Sequence, residues 1–272
     1  MANPMTAEFT MSQSSIAGVY VVAASSRRSF ARHTHDQFGI GVIERGAQKS
    51  YSARGMVEAG AGDIITVNPG EVHDGMPIGD SGRSWRMLYF DPALVAAALH
   101  DISGGKTRIA EFHRPVLRDA ATGARLRALF ALGAGAAPQP ATPLPEQLLL
   151  AVLASVACER TLRAAPRVPA AVLRARERID DDPVAPLTLH ELARESGLSR
   201  FQLLRGFSKA TGMTPHAYLV QRRIDLARRM IAGGAALSEA AIASGFADQS
   251  YMTRIFVRKY GITPRVYGRA LS

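Results

Sequence analysis

The sequence predicts an α+β chain of two domains: an N-terminal β-barrel with a helical extension, then an all-α C-terminal domain made of two helix-turn-helix units. Three observations predict it. Short β-prone runs, separated by Gly- and Pro-rich turns, fill roughly residues 15 to 95. Apolar residues at helical spacing then take over. Near the C-terminus one pattern occurs twice. Its first copy runs Ser196-Gly197-Leu198-Ser199-Arg200-Phe201 and closes on Gly212-Met213-Thr214-Pro215. Its second runs Ser244-Gly245-Phe246, then Asp248-Gln249-Ser250, and closes on Gly261-Ile262-Thr263-Pro264. Gly197 and Gly245 are 48 positions apart, whereas Arg205 and Arg254 are 49 apart. The second copy therefore carries one extra residue in its turn, and the repeat fixes the folding unit.

Composition bounds the classes open to the chain. Its 272 residues suffice for two domains, and 47% hydrophobic content excludes wholesale disorder. The net charge of +10 is uneven: residues 166–272 hold 17 Lys+Arg against 9 Asp+Glu, and the rest of the chain holds 16 against 14. A basic C-terminal region is the electrostatic footprint of a polyanionic partner. The lone cysteine, Cys158, excludes an internal disulfide framework and a thiolate zinc site. It lies in an apolar helical stretch, is expected as a small buried side chain, and suits a reducing cytoplasm. No apolar run reaches the length of a membrane span. The run Ile16 to Ala24 has no basic residue before it and is followed by Arg27-Arg28, so it is expected as a strand rather than a secretory signal.

In chain order, residues 1–14 are expected as a loose arm. Residues 15–95 form the barrel, with strands over Gly18–Ala24, Phe38–Glu44, Gln48–Ala53, Asp63–Asn68 and Arg86–Phe90. Residues 96–163 form the helical region. Helical spacing starts at Ala93–His100 and continues over Arg118–Leu132 and Pro145–Arg163. The last of these is apolar on nearly all sides, so it must bury itself against the barrel or a second copy of the chain. Residues 164–169 are expected as linker. Residues 170–272 complete the chain, opening with a helix over Ala170–Asp180. A helix over Pro215–Ala232, started by Thr214 as cap and Pro215 at the first position, joins the two repeats.

Each repeat reads as a short helix stopped by a Ser-Gly pair, then a second helix capped by Ser199 or Asp248. Leu203 and Phe207, and Met252 and Phe256, lie four apart on one face and are core positions. The opposite face carries Arg200, Phe201, Leu204 and Arg205 in one unit, and Gln249, Ser250, Thr253 and Arg254 in the other. Arg and Gln on such a face suit a DNA major groove, where they read base edges. These paired units, with their Ser-Gly turns, Thr-Pro endings and matched arginines, resemble the DNA-binding region of the AraC/XylS family of bacterial transcription regulators. The resemblance implies sequence-specific contact with double-stranded DNA through those eight residues. It also implies RNA polymerase as a partner and dimerisation through the helical region. The connecting helix of 18 residues spans about 27 Å at 1.5 Å rise per residue. That approaches the roughly 34 Å between successive major-groove openings on one DNA face. Arg222, Arg223, Arg228 and Arg229 on it are expected as backbone clamps or solvated charge, at least half of them solvated.

In the barrel, His33-Thr34-His35 and the stretch Gly62-Asp63-Ile64-Ile65-Thr66-Val67-Asn68-Pro69-Gly70-Glu71-Val72-His73 resemble the two signatures of the cupin barrel found in the sensor domains of AraC-type regulators. This implies a small-molecule effector, with His33, His35 and His73 lining its pocket; Tyr51, Trp85, Arg86 and Tyr89 are further pocket candidates by alternation toward the barrel interior. His33, His35 and His73 would be the ligands if a metal bound, since imidazoles suit such ions. Enzymatic cupins usually add a Glu just after His-x-His; here Gln37, Phe38 and Gly39 follow. No cofactor is therefore expected. A metal-dependent cupin enzyme with a helical appendage is the alternative, and it leaves the basic C-terminal region unexplained. An architectural DNA binder would leave the barrel without a purpose.

Overall fold

The computed structural model describes residues 8–52, 54–105, 110–136, 144–159 and 168–271. It divides into two compact units, Met1–Thr161 and Leu162–Ser272.

The first unit is built on strands β1 (Glu8–Gln13), β2 (Val19–Ser26), β3 (Phe30–His33), β4 (Phe38–Arg45), β5 (Ala47–Ser52), β6 (Gly55–Gly60), β7 (Ile64–Val67), β8 (His73–Pro77) and β9 (Arg83–Phe90). Helix α1 (Pro92–Ile102) follows, then β10 (Ala110–Phe112), β11 (Val116–Leu117), α2 (Ala120–Gly133), α3 (Pro145–Val156) and β12 (Ala157–Glu159). A six-stranded sheet in the order β1-β2-β9-β4-β7-β11 faces a four-stranded sheet in the order β3-β8-β5-β6. Their pairings are antiparallel. Among the described residues they remain separate ladders rather than one closed barrel.

Side chains alternate across each strand, so each sheet has two faces with different tasks. Val19, Val21, Phe38, Ile40, Val42, Ile64, Leu88 and Phe90 point to the helices and join Val95, Leu126, Leu129, Leu149, Val152 and Leu153 in one apolar core. The buried side of the apolar α3 packs against α1 and α2 within this core, while Leu150 stays exposed on it. The opposite faces of the two sheets meet across an interior, the chamber, where His35 packs on Tyr89 and Phe30 on Trp85.

Several boundaries differ from expectation. Residues 8–13 are not loose: alternating Phe9, Met11 and Gln13 pair with β2 as an edge strand, and residues 1–7 lie outside the described residues. The helix expected through Arg163 stops at Val156, because Ala157–Glu159 pair with β10. Cys158 accordingly lies in a strand; its side chain is outside the described residues. Residues 164–167 of the expected linker also lie outside them.

The second unit is all helical: α4 (Ala170–Asp181), α5 (Leu189–Ser196), α6 (Arg200–Thr211), α7 (Pro215–Ala232), α8 (Leu237–Ala243), α9 (Gln249–Tyr260) and α10 (Pro264–Leu271). The two repeats are α5–α6 and α8–α9. Gly197 ends α5 at φ 70°, a left-handed conformation that an L side chain resists. Ser199 then accepts from Gln202 N, with Gln202 reciprocating in a capping box, and Asp248 accepts from Tyr251 N. Thr214 caps α7 with Pro215 at its first position, as expected. Leu203 and Phe207 are fully buried, as are their counterparts Met252 and Phe256. Among the described residues no helix is long and apolar enough to cross a membrane.

Candidate nucleic-acid interface and effector chamber

Helices α6 and α9 carry the same exposure pattern at matched positions. Arg200, Phe201 and Arg205 are exposed on α6 and Leu204 is half-buried; on α9 Gln249, Ser250 and Arg254 are exposed and Thr253 is half-buried. All eight residues singled out by sequence are thus accessible, and the buried pairs on each helix hold that face outward. Phe201 is the most telling, at 72% exposed. A large apolar ring left in water on the first turn of a helix is costly unless a partner covers it. Arg205 and Arg200 have no hydrogen bond or ion pair among the described residues, whereas Arg254 stacks over Tyr251 at 5.7 Å. Sequence reasoning passed over Tyr251, and also Lys209 and Arg258, which are exposed at matched positions in the last turns.

Some of the basic residues of this unit are engaged inside it. Arg223 was expected on the surface, yet it ties two turns together. Its Nε donates to the Pro183 carbonyl (2.7 Å), Nη1 to that of Gly245 (2.8 Å), and Nη2 to those of Val184 (3.3 Å) and Ala185 (3.1 Å). Arg222 pairs with Asp180 at 2.9 Å, and Arg228 stacks over Tyr260 and Tyr267. Of the four arginines on α7, Arg229 is the exposed one. Net charge cannot distinguish an arginine that meets phosphate from one that meets a carbonyl. Beneath α9, buried Lys259 donates to Gln221 Oε1 (2.9 Å), and Gln221 Nε2 donates to Asp225 Oδ1 (2.8 Å). Burial lowers the Lys259 pKa to about 8. This network orients α9 on α7 and presents nothing outward.

In the first unit the chamber between the sheets gathers His33, His35, His73 and Tyr89. The His33 and His73 rings lie 4.2 Å apart, those of His35 and His73 4.9 Å, and those of His35 and Tyr89 4.9 Å. Each histidine Nδ1 faces a carbonyl oxygen: His33 that of Ala31 (2.8 Å), His35 that of Gln37 (2.8 Å), His73 that of Glu71 (2.9 Å). A carbonyl only accepts, so each Nδ1 carries the proton. Burial depresses the His73 pKa, opposed by its bond to the Glu71 carbonyl, which favours the charged ring. Among the described residues no group of three or more His, Cys, Asp or Glu is placed to hold a metal ion.

Trp85 belongs to the chamber, stacked edge-on with Phe9 at 5.7 Å and Phe30 at 5.9 Å. Two expected lining residues do not. Arg86 is adjacent to Trp85, and strand alternation sends it the other way, to Glu44 (3.8 Å) and the Phe130 ring (5.1 Å). Tyr51 lies on the outer face of β5, under the exposed Arg32 guanidinium at 4.0 Å. Alternation counted from Trp85 would have found the inward arginine, Arg83, which sequence reasoning missed. Gly39 and Gly41 face the chamber and their missing side chains leave room that Met87 fills; a Cβ at Gly39 would stand 3.0 Å from Met87 Cε.

Residues 16–154 match the family described as AraC-like ligand binding domain, and residues 192–270 match a helix-turn-helix domain. The chain is 28% identical over 229 residues to the HTH-type transcriptional regulator YbfI of Bacillus subtilis (strain 168), spanning 83% of this chain and 82% of that one. It is 29% identical over 90 residues to the multiple antibiotic resistance protein MarA of Salmonella typhimurium, covering 33% of this chain and 71% of MarA. Among solved structures, an apo form of ToxT from Vibrio cholerae superposes with a TM-score of 0.54 at 15% identity, covering 96% of this chain and all of that one. A ToxT structure with bound unsaturated fatty acid gives 0.52 at 16% identity, covering 100% and 98%. At these identities the ToxT likeness concerns the fold.

Proposed function

Because this chain belongs to the AraC family of transcription regulators, we propose that it is a one-component switch of the cytoplasm that reads adjacent major grooves with α6 and α9 under control of a small molecule. The observation that carries this reading is the matched, outward-facing pair Arg205 and Arg254, each on a helix whose other face is locked in a core. Arg205, Arg254 and Gln249 would contact base edges; Phe201 would meet a thymine methyl. Leu204 is apolar where Thr253 is polar, so α6 reads fewer bases than α9. The effector would enter the chamber of the first unit, as ToxT was captured with a fatty acid. It acts by differential affinity for two states of the protein. No catalytic step is part of this reading.

The protein would act as a homodimer and contact RNA polymerase on DNA. Exposed Ile102, Leu144 and Leu150 around α1 and α3 support a self-association face. Sedimentation at micromolar concentration that gave monomer alone would remove the dimer.

The central experiment compares specific and random duplexes after genomic mapping of bound sites. Arg254→Ala is expected to cost about 1–3 kcal/mol on the specific site and little on random DNA. An equal loss on both would make Arg254 a phosphate contact. Wild-type affinity is expected to fall steeply as salt rises.

A further inference from the structure

The chamber holds a cation that meets no counter-charge among the described residues. Arg83 is 1% exposed, among the most buried large side chains of the described residues. Its Nε donates to Gln48 Oε1 (2.9 Å), Nη1 to the Arg28 carbonyl (3.0 Å) and Nη2 to the Gly75 carbonyl (3.3 Å). All three acceptors are neutral. Among the described residues no carboxylate pairs with it, and burial lowers its pKa to about 10, which leaves it charged at neutral pH. A guanidinium withdrawn from water is costly unless an anion answers it.

Its surroundings are built for one. The guanidinium has five N–H groups, and three are engaged, so one remains on each Nη. Ser50 Oγ accepts from Gln48 Nε2 at 3.0 Å, which leaves the hydroxyl proton to be donated elsewhere. Gly75 places no side chain against the group: a Cβ there would stand 3.2 Å from Arg83 Nη2 and 3.9 Å from Ser50 Oγ. On the other side the guanidinium lies 4.7 Å from the Trp85 ring and 5.3 Å from that of Phe30. Further along the same face of β9 comes Met87, a flexible side chain that fills the space over two glycines and can yield it. The chamber is therefore cationic and polar at one end and aromatic along its length.

We propose that Arg83 is the anion-binding residue of the effector chamber, and that the effector is a small organic monocarboxylate. Its carboxylate meets the Arg83 fork and the Ser50 hydroxyl, and its apolar body lies along Phe30, Trp85 and the space that Met87 vacates. The inference rests on the effector-sensing reading above and names the ligand class of that site.

Trp85 is the chain's only tryptophan, and it touches the group in question, so its emission reports on the site. The full-length protein is titrated with hexanoate and phenylacetate, and with the neutral hexanamide and phenylacetamide. The expected result is a saturable change in emission with the acids, about tenfold or more tighter than with the amides, because a charge-assisted bidentate contact outweighs a neutral one. Arg83→Met, shown to be folded by circular dichroism, is expected to lose that preference. Should the variant not fold, the acid-against-amide comparison in the wild type decides alone. Amides binding as well as acids, or no acid perturbing Trp85, overturns the proposal. Sequence-specific DNA binding measured on the same preparation separates the two readings: if it is present without acid preference, the anion inference alone falls. If it is absent, the regulator reading falls while any acid preference still supports an anion site.

Discussion

Phe256→Ala is expected to destabilise the C-terminal unit by about 4 kcal/mol, within the range for deleting a buried aromatic ring. Phe256 is fully buried and packs against the rings of Tyr260 at 5.0 Å and Tyr267 at 5.5 Å. Tyr267 lies on α10 and Tyr260 on α9 itself, so the removed ring would leave a cavity between helices with little means of collapse. Domains are stable by only about 5–15 kcal/mol, so such a loss takes a large share of the total. Urea unfolding followed by helical signal checks it, and a loss below about 1 kcal/mol would show that α9 is not anchored through this ring. Arg254→Ala on the exposed face of the same helix serves as the contrast. It should leave the unfolding midpoint nearly unchanged, since surface substitutions usually lie within about 0.5 kcal/mol.

The second large effect is expected at Arg223. Its guanidinium holds the loop Pro183–Ala185 ahead of α5 and the Gly245 turn of the second repeat at once. The side chain is partly exposed, so its hydrogen bonds are worth less than buried ones; Arg223→Ala is expected to cost about 2 kcal/mol of stability. The larger consequence is for DNA. Losing the tie should free the two reading units from one another. Binding to a site with both half-sites is then expected to fall more than binding to a site with one scrambled. Equal losses on both would mean that Arg223 only stabilises the fold. Arg223→Lys should recover less than half of either effect, because one ammonium cannot reproduce a planar fork that reaches four carbonyls.

These two residues show how far the sequence could be read. Phe256 was legible: helical spacing to Met252 and a repeat counterpart at Phe207 mark it as core. Arg223 was not, because its partners are backbone carbonyls 22 to 40 residues away, and carbonyls have no sequence signature. The chamber divides in the same way. His33, His35 and His73 were visible as motif residues, and the structure brings them together. Tyr51 and Arg86 were placed inward and face outward, because strand parity depends on where each strand starts. Arg83 went unseen for that reason: the strand expected from Arg86 begins at Arg83.

By itself the sequence determined the two-part order of the chain, the duplicated helical units, their caps and the residues on the accessible faces of α6 and α9. These are local matters, carried by periodicity, by glycines at left-handed turns and by polar caps a few positions away. Tertiary structure alone decided which arginines are surface and which are ties, which face of each strand lines the chamber, and that α3 buries its apolar side against α1 and α2. Those outcomes follow from pairings between residues tens of positions apart, and burial of a charge is fixed by its neighbours in space rather than by its neighbours in the chain.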